Sequence, residues 1–213
     1  MNFKPILFST EMVKAILSGS KVQTRRVVKE EHAPVKISKD NQYAMPLDRL
    51  LSCPYGQVGD VLWVRENYLK PPKVITSKML KDGADTWPSF DYQADCELGD
   101  VEQYKEWGWK MKPSIHMPKE ACRLFLKIKS IRVERLRDIS EADAVYEGIE
   151  VIHFAEPSVP IFKRYDLKEK LGTVNPIFSF ESLWQKINGR QSLINNPWVW
   201  VIEFERIEKP ENF

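Results

Sequence analysis

The chain has 213 residues, 43% hydrophobic and 11% aromatic, which is ample material for a packed core and excludes wholesale disorder. Its 32 Lys and Arg stand against 30 Asp and Glu, and a net charge of +2 argues against a uniformly basic nucleic-acid binder. No run reaches the ~18 apolar residues of a membrane span. The opening residues show no apolar stretch behind a basic one, so no secretory leader is expected. Three widely spaced cysteines (Cys53, Cys96 and Cys122) suit a reducing compartment, and a cytoplasmic location is the expectation.

In chain order, Thr10 is placed to cap a helix with Met12, Val13, Ile16 and Leu17 at helical spacing, stopped by Gly19. Residues 22–28 read as a strand with Val22, Thr24, Arg26 and Val28 on one face. A turn at 57–60 leads into a short strand at 61–66. Residues 70–118 are rich in Pro, Trp and acid with weak periodicity, and predict an irregular insertion holding one or two short strands. A long β segment follows at 122–136. Its alternation changes phase between Leu124, Leu126, Ile128 and the odd-numbered Ile131, Val133, so a bulge or bend is expected near Lys129 and Ser130.

Ser140 caps the next helix, with Asp143 at the capping-box position, Ile139 and Ala144 as a staple, and Gly148 at its end. A second irregular insertion is expected at 150–176. Ser179 then caps a third helix with Leu183, Trp184 and Ile187 facing inward and Gly189 after it. A final strand at 198–204 puts Trp198, Trp200, Ile202 and Phe204 on one face. Short strands, a bulge and three short helices predict an α+β fold: a small mixed β-barrel with flanking helices, one domain with two insertions.

The charge is unevenly placed. Residues 1–40 carry +4 and residues 110–137 carry +7, while 82–106 hold eight acids against Lys105 alone. Such segregation fits either a polarised surface that attracts polyanions or solvated strand faces with no partner.

No G-x-S-x-G, H-E-x-x-H, C-x-x-C or G-x-G-x-x-G occurs, and the three scattered histidines have no ligand spacing, so neither a metal site nor a cofactor is expected. The cluster from Gly19 through Ser20, Lys21 and Thr24 to Arg25 and Arg26 carries the chemistry. Gly19 permits a tight helix-to-strand turn. A lysine in a dry pocket loses its preference for charge and can act as a base, and a threonine hydroxyl beside it can serve as nucleophile. The same pattern also fits an exposed edge strand with solvated Lys and Arg. Glu147 falls in a helix's last turn, where the dipole disfavours a carboxylate and favours a proton donor, or else it is a surface Glu at a frayed end. Glu66 ends its strand on the inward face, as a ligand contact or as the partner of an arginine. Trp109, Lys112, Ser114 and His116 lie in a segment interleaving aromatics with cations, which suits a stacked base and its phosphate or a loop plugged into the core.

These stretches, in this order, resemble the ASCH domain family of the PUA-like superfold, in particular its larger phage and prophage members. The matching residues are 4–8, 16–26, 59–66, 112–118, 133–149 and 196–204, so the likeness runs from end to end. The resemblance implies a β-barrel with a cleft beside the glycine turn, and RNA, a modified nucleoside or modified DNA as ligand, with no obligatory protein partner. A compact bacterial ASCH member is an acetylcytidine amidohydrolase. Its Gly-x-Lys-x-x-Thr motif corresponds to Gly19, Lys21 and Thr24, and its catalytic Glu to Glu147. By that likeness Lys21 is the base, Thr24 the nucleophile and Glu147 the proton donor. This chain is considerably longer, and Arg25 replaces a smaller apolar residue. Other members resemble ribonucleases or non-catalytic readers of RNA or modified DNA.

Overall fold

The computed structural model describes residues 1–37, 42–76, 80–81, 83–97, 100–156, 158–167 and 172–213. Along it come β1 (Phe3–Leu7), α1 (Thr10–Leu17), β2 (Gln23–Val27), β3 (Val35–Lys36), β4 (Tyr43–Ala44), α2 (Leu47–Leu51), β5 (Val61–Arg65) and β6 (Tyr68–Lys70). Then follow β7 (Asp91–Tyr92), α3 (Asp100–Glu106), β8 (Lys110–Lys112), β9 (Phe125–Arg135), α4 (Glu141–Tyr146), β10 (Val151–Glu156) and β11 (Val159–Lys163). The last elements are β12 (Gly172–Thr173), α5 (Pro176–Asn188), α6 (Arg190–Ile194) and β13 (Trp198–Ile207). The fold is mixed α+β. Among the described residues no helix is long and apolar enough to cross a membrane.

Five strands in the order β1-β5-β9-β13-β2 form the main sheet, with β1 parallel to β5 and the other neighbours antiparallel. The expected bulge is present: Glu203 faces Ser130 and Phe204 faces Ile128, so Lys129 is the extra residue. It keeps Leu126 and Ile128 on the same side as Ile131 and Val133, and all four pack with Trp200, Ile202, Phe204 and the α1 residues Val13 and Ile16. The opposite face of β13, Val199 and Val201, packs with Ala144 of α4 and Phe180 and Trp184 of α5. Each added residue flips the pleat, and alternate residues of β13 thereby serve two cores. Among the described residues no ladder joins β1 to β2; instead Arg26 Nη2 donates to the Leu7 carbonyl at 2.7 Å.

Several helix and insertion details differ from expectation. Ser9, not Thr10, caps α1, its Oγ accepting from the Met12 amide (3.4 Å). Asn175, not Ser179, caps α5: its Oδ1 accepts from the Ile177 and Phe178 amides, and Pro176 pre-sets the first turn. Ser179 lies inside that helix, donating to the Lys163 carbonyl (2.7 Å). Ile187 is 52% exposed rather than inward. Residues 150–176 are not irregular but carry the three-stranded β10-β11-β12 sheet. Register shifts on either side of His153 and Phe154 hide its alternation, and residues 157 and 168–171 lie outside the described ones. Residues 70–118 supply β7, α3 and β8, and the two strands flank β6 in a second small sheet.

Candidate functional site

Two helix ends meet at the site. After α1 the chain turns through Gly19 (φ +77°), and the Lys21 amide donates back to the Ala15 carbonyl (3.0 Å). The Val22 amide donates to the Tyr146 carbonyl (3.0 Å), and Lys21 forms a lone antiparallel bridge with Glu147, the C-cap of α4. Gly148 makes this contact possible. Its φ is +79°, and a Cβ there would stand 2.7 Å from Lys21 Cβ and 2.9 Å from Ala15 Cβ.

Inside this junction lies a buried ion cluster. Lys21 is only 2% exposed, and its Nζ donates to Glu147 Oε2 and to the Glu147 carbonyl, both at 2.8 Å. The other carboxylate oxygen of Glu147 accepts from Arg25 Nη1 at 3.0 Å. Arg25 also donates from Nε and Nη2 to Glu134 Oε1 (3.2 and 2.5 Å), and its Nη2 lies 3.4 Å from Asp143 Oδ2. Arg132 completes the chain with Glu134 (3.1 Å), Asp143 (3.1 Å) and Glu203. Gln23 is fully buried, and its amide NH2 is assigned toward Asp143 Oδ1 (3.1 Å). Burial pushes the Lys21 ammonium below its ordinary range. Glu147 opposes that shift, and Arg26 and Arg25 add to it. Glu147 thus sits between two cations as an acceptor, not at a helix end facing only the dipole.

A small cleft of about 70 Å³ opens beside the cluster, lined by Thr24, Arg25, Arg26 and Glu147 on one side and by Phe180, Leu183, Trp184, Ile187 and Asn188 of α5 on the other. Thr24 is 1% exposed, and among the described residues its hydroxyl makes no hydrogen bond. Arg26 is half-buried over the Phe8 ring (5.1 Å), which also lies 5.8 Å from Lys21 Nζ. Among the described residues Arg26 has no carboxylate partner. Desolvation lowers its affinity for a proton, with Tyr55 and Glu147 opposing.

The structure therefore joins Lys21, Arg25 and Glu147 in one ion cluster, sets Thr24 and Arg26 along the adjoining cleft, and leaves the other expected ligand contacts elsewhere. Gly19 is exposed with open space where a Cβ would stand, and Ser20 turns its hydroxyl back to the Ala15 carbonyl (3.1 Å). Glu66 is buried against Arg123, which grips both its oxygens (2.9 and 3.0 Å) and stacks on Tyr92 at 3.8 Å, so the arginine-partner alternative holds. Burial raises the Glu66 carboxyl and Arg123 opposes it. Trp109 is no stacking platform. It is buried against Trp87 and Tyr104 at 5.4 and 5.1 Å, because its ring covers more apolar area inside the loop than any exposed position offers. Ser114 donates its amide to Asn67 Oδ1 (2.9 Å), His116 is exposed, and Lys112 lines a separate groove. Two of the four cations of β9 face acids: Lys129 pairs with Glu205 (3.3 Å) and Arg132 with three carboxylates.

Glu134, Asp143, Gln23 and the α5 wall are site elements that the sequence pattern does not mark as such. A signal existed for some of them. Asp143 and Glu147 are spaced i, i+4 on one helix face, and Lys21, Gln23 and Arg25 alternate on one strand face. Among the described residues no group of His, Cys, Asp and Glu is placed to hold a metal ion. No family model matches the chain, and neither a curated protein nor a solved structure does.

Proposed function

We propose that the chain is an ASCH-type protein with a PUA-like barrel core, and that its cleft binds a modified cytidine-like nucleoside and hydrolyses an acyl amide on the base. One observation carries the reading: a buried lysine held 2.8 Å from a carboxylate that lines a cleft together with Thr24. Lys21, its ammonium disfavoured by burial, takes the proton of Thr24 as Oγ attacks the acyl carbonyl. The carbon–nitrogen bond then breaks. The proton returns through Glu147 to the departing exocyclic amine, leaving acyl-Thr24, which water hydrolyses to the free acid. A volume of about 70 Å³ holds an acetyl-sized group but no base and sugar, so the nucleoside sits at the mouth beside exposed Ile187.

Incubation with N4-acetylcytidine should release cytidine and acetate, and Lys21→Ala and Thr24→Ala should each abolish turnover. Thr24→Val keeps the shape and breaks no hydrogen bond, so it should be folded and inactive. No turnover across a panel of acylated nucleosides overturns the hydrolase. A second reading, a non-catalytic reader of RNA or modified DNA, rests on Arg26, which lines the same cleft and whose guanidinium has no carboxylate among the described residues.

A further inference from the structure

The first insertion carries a groove of about 480 Å³ lined by Lys70, Lys73, Lys110 and Lys112 together with Pro71, Pro72 and Val74. Strands β6 and β8 pair antiparallel, so Lys70 stands directly opposite Lys110, and Lys112 shares the face of Lys110. Like charges directly opposite destabilise a strand pair unless an anion lies between them. Among the described residues none of the four ammonium groups has a carboxylate; Lys70 only overlies the Phe90 ring at 5.9 Å. The nearby acids are committed elsewhere: Asp91 accepts from Tyr104, and Asp95 pairs with Arg123. The arginines Arg25, Arg123 and Arg132, by contrast, all face carboxylates.

We propose that this groove binds the phosphodiester backbone of a single-stranded nucleic acid. Four cations along one open groove exceed what a single small anion can neutralise, and suit a chain with a charge at every repeat. Two consecutive prolines fix the backbone between Lys70 and Lys73, so the lysines are presented with little ordering cost. With Trp109 buried, no ring in the lining stacks a base, and binding is independent of sequence. The groove shares no lining residue with the Thr24 cleft, and so stands apart from the hydrolase reading.

The test is fluorescence anisotropy of labelled 12-nucleotide oligothymidylate and oligouridylate on the full chain, titrated with NaCl. Four contacts to a single strand predict a slope of log K against log salt of about −2.8, and the double variant Lys70→Gln/Lys110→Gln should bring it to about −1.4. The melting temperature of that variant should hold or rise, since opposed charges are removed. Thr24→Ala should leave the slope unchanged. Four outcomes overturn the proposal: no binding, an unchanged slope in the double variant, loss of binding in Thr24→Ala, or preference for anionic phospholipid vesicles over the oligonucleotides.

Discussion

A lysine buried at 2% exposure, facing one carboxylate and two arginines, ties the protein's stability to pH. Because burial lowers its pKa, folded Lys21 releases its proton below the 10.5 of an unperturbed lysine. Between those two values the unfolded chain binds more protons, so this group makes stability rise with pH. Other buried groups work the opposite way, so the clean measurement is a difference. Urea unfolding of wild type and Lys21→Met from pH 7 to 10.5 should show the wild type gaining on the variant as pH rises. A constant difference would mean that Lys21 keeps its charge throughout. The positions of Lys21 and Glu147 were legible as a turn followed by a strand and as a helix end. The partners of Arg25 were not, because Glu134 and Asp143 lie more than a hundred residues away in the chain and only the folded sheet brings them near.

At the scale of elements, glycine geometry and strand phase decide the site. Gly148→Ala forces a Cβ to 2.7 Å from Lys21 Cβ at a positive φ. The expected loss is about 3 kcal/mol, combining backbone strain with overpacking at two contacts. Turnover should fall with stability, since the same shift separates Glu147 from Lys21; calorimetry and the deacetylation assay check both. The irregularity at Lys129 was legible because the hydrophobic pattern changes parity, which calls for a bulge or a bend, and the register shift makes it a bulge. The start of α5 was misplaced for a local reason. Ser179 looks like a cap, but Asn175 followed by Pro176 is the stronger signal, and it lies four residues earlier. The β10-β11-β12 sheet was illegible because its register shifts erase the period-2 pattern.

Over the whole molecule, the two principal cores lie on opposite sides of one wall, so neither opens without the other. Cys53 packs into the α1-side core, and Cys122 packs with Trp63 and Phe125 against the same β5–β9 wall. Burial pushes both thiols up to about 11. Labelling by a neutral-pH thiol reagent should therefore modify Cys96 first, with Cys53 and Cys122 following slowly at a common rate set by global unfolding. Fast, separate labelling of Cys122 would show independent opening of that corner. The near-neutral charge also resolves at this scale. Lys129 and Arg132 of β9 are answered by acids, while Lys70, Lys73, Lys110 and Lys112 of the insertion have no carboxylate among the described residues.

The shared wall has a consequence for synthesis. Strand β2 has β13 as its sheet neighbour, and β13 supplies alternate residues to both cores. Until β13 leaves the ribosome, β2 has no ladder, and the cores on both sides of the wall lack the residues that β13 supplies. The wall shared by the two cores is therefore completed late in synthesis, leaving an interval in which holding chaperones compete with self-association.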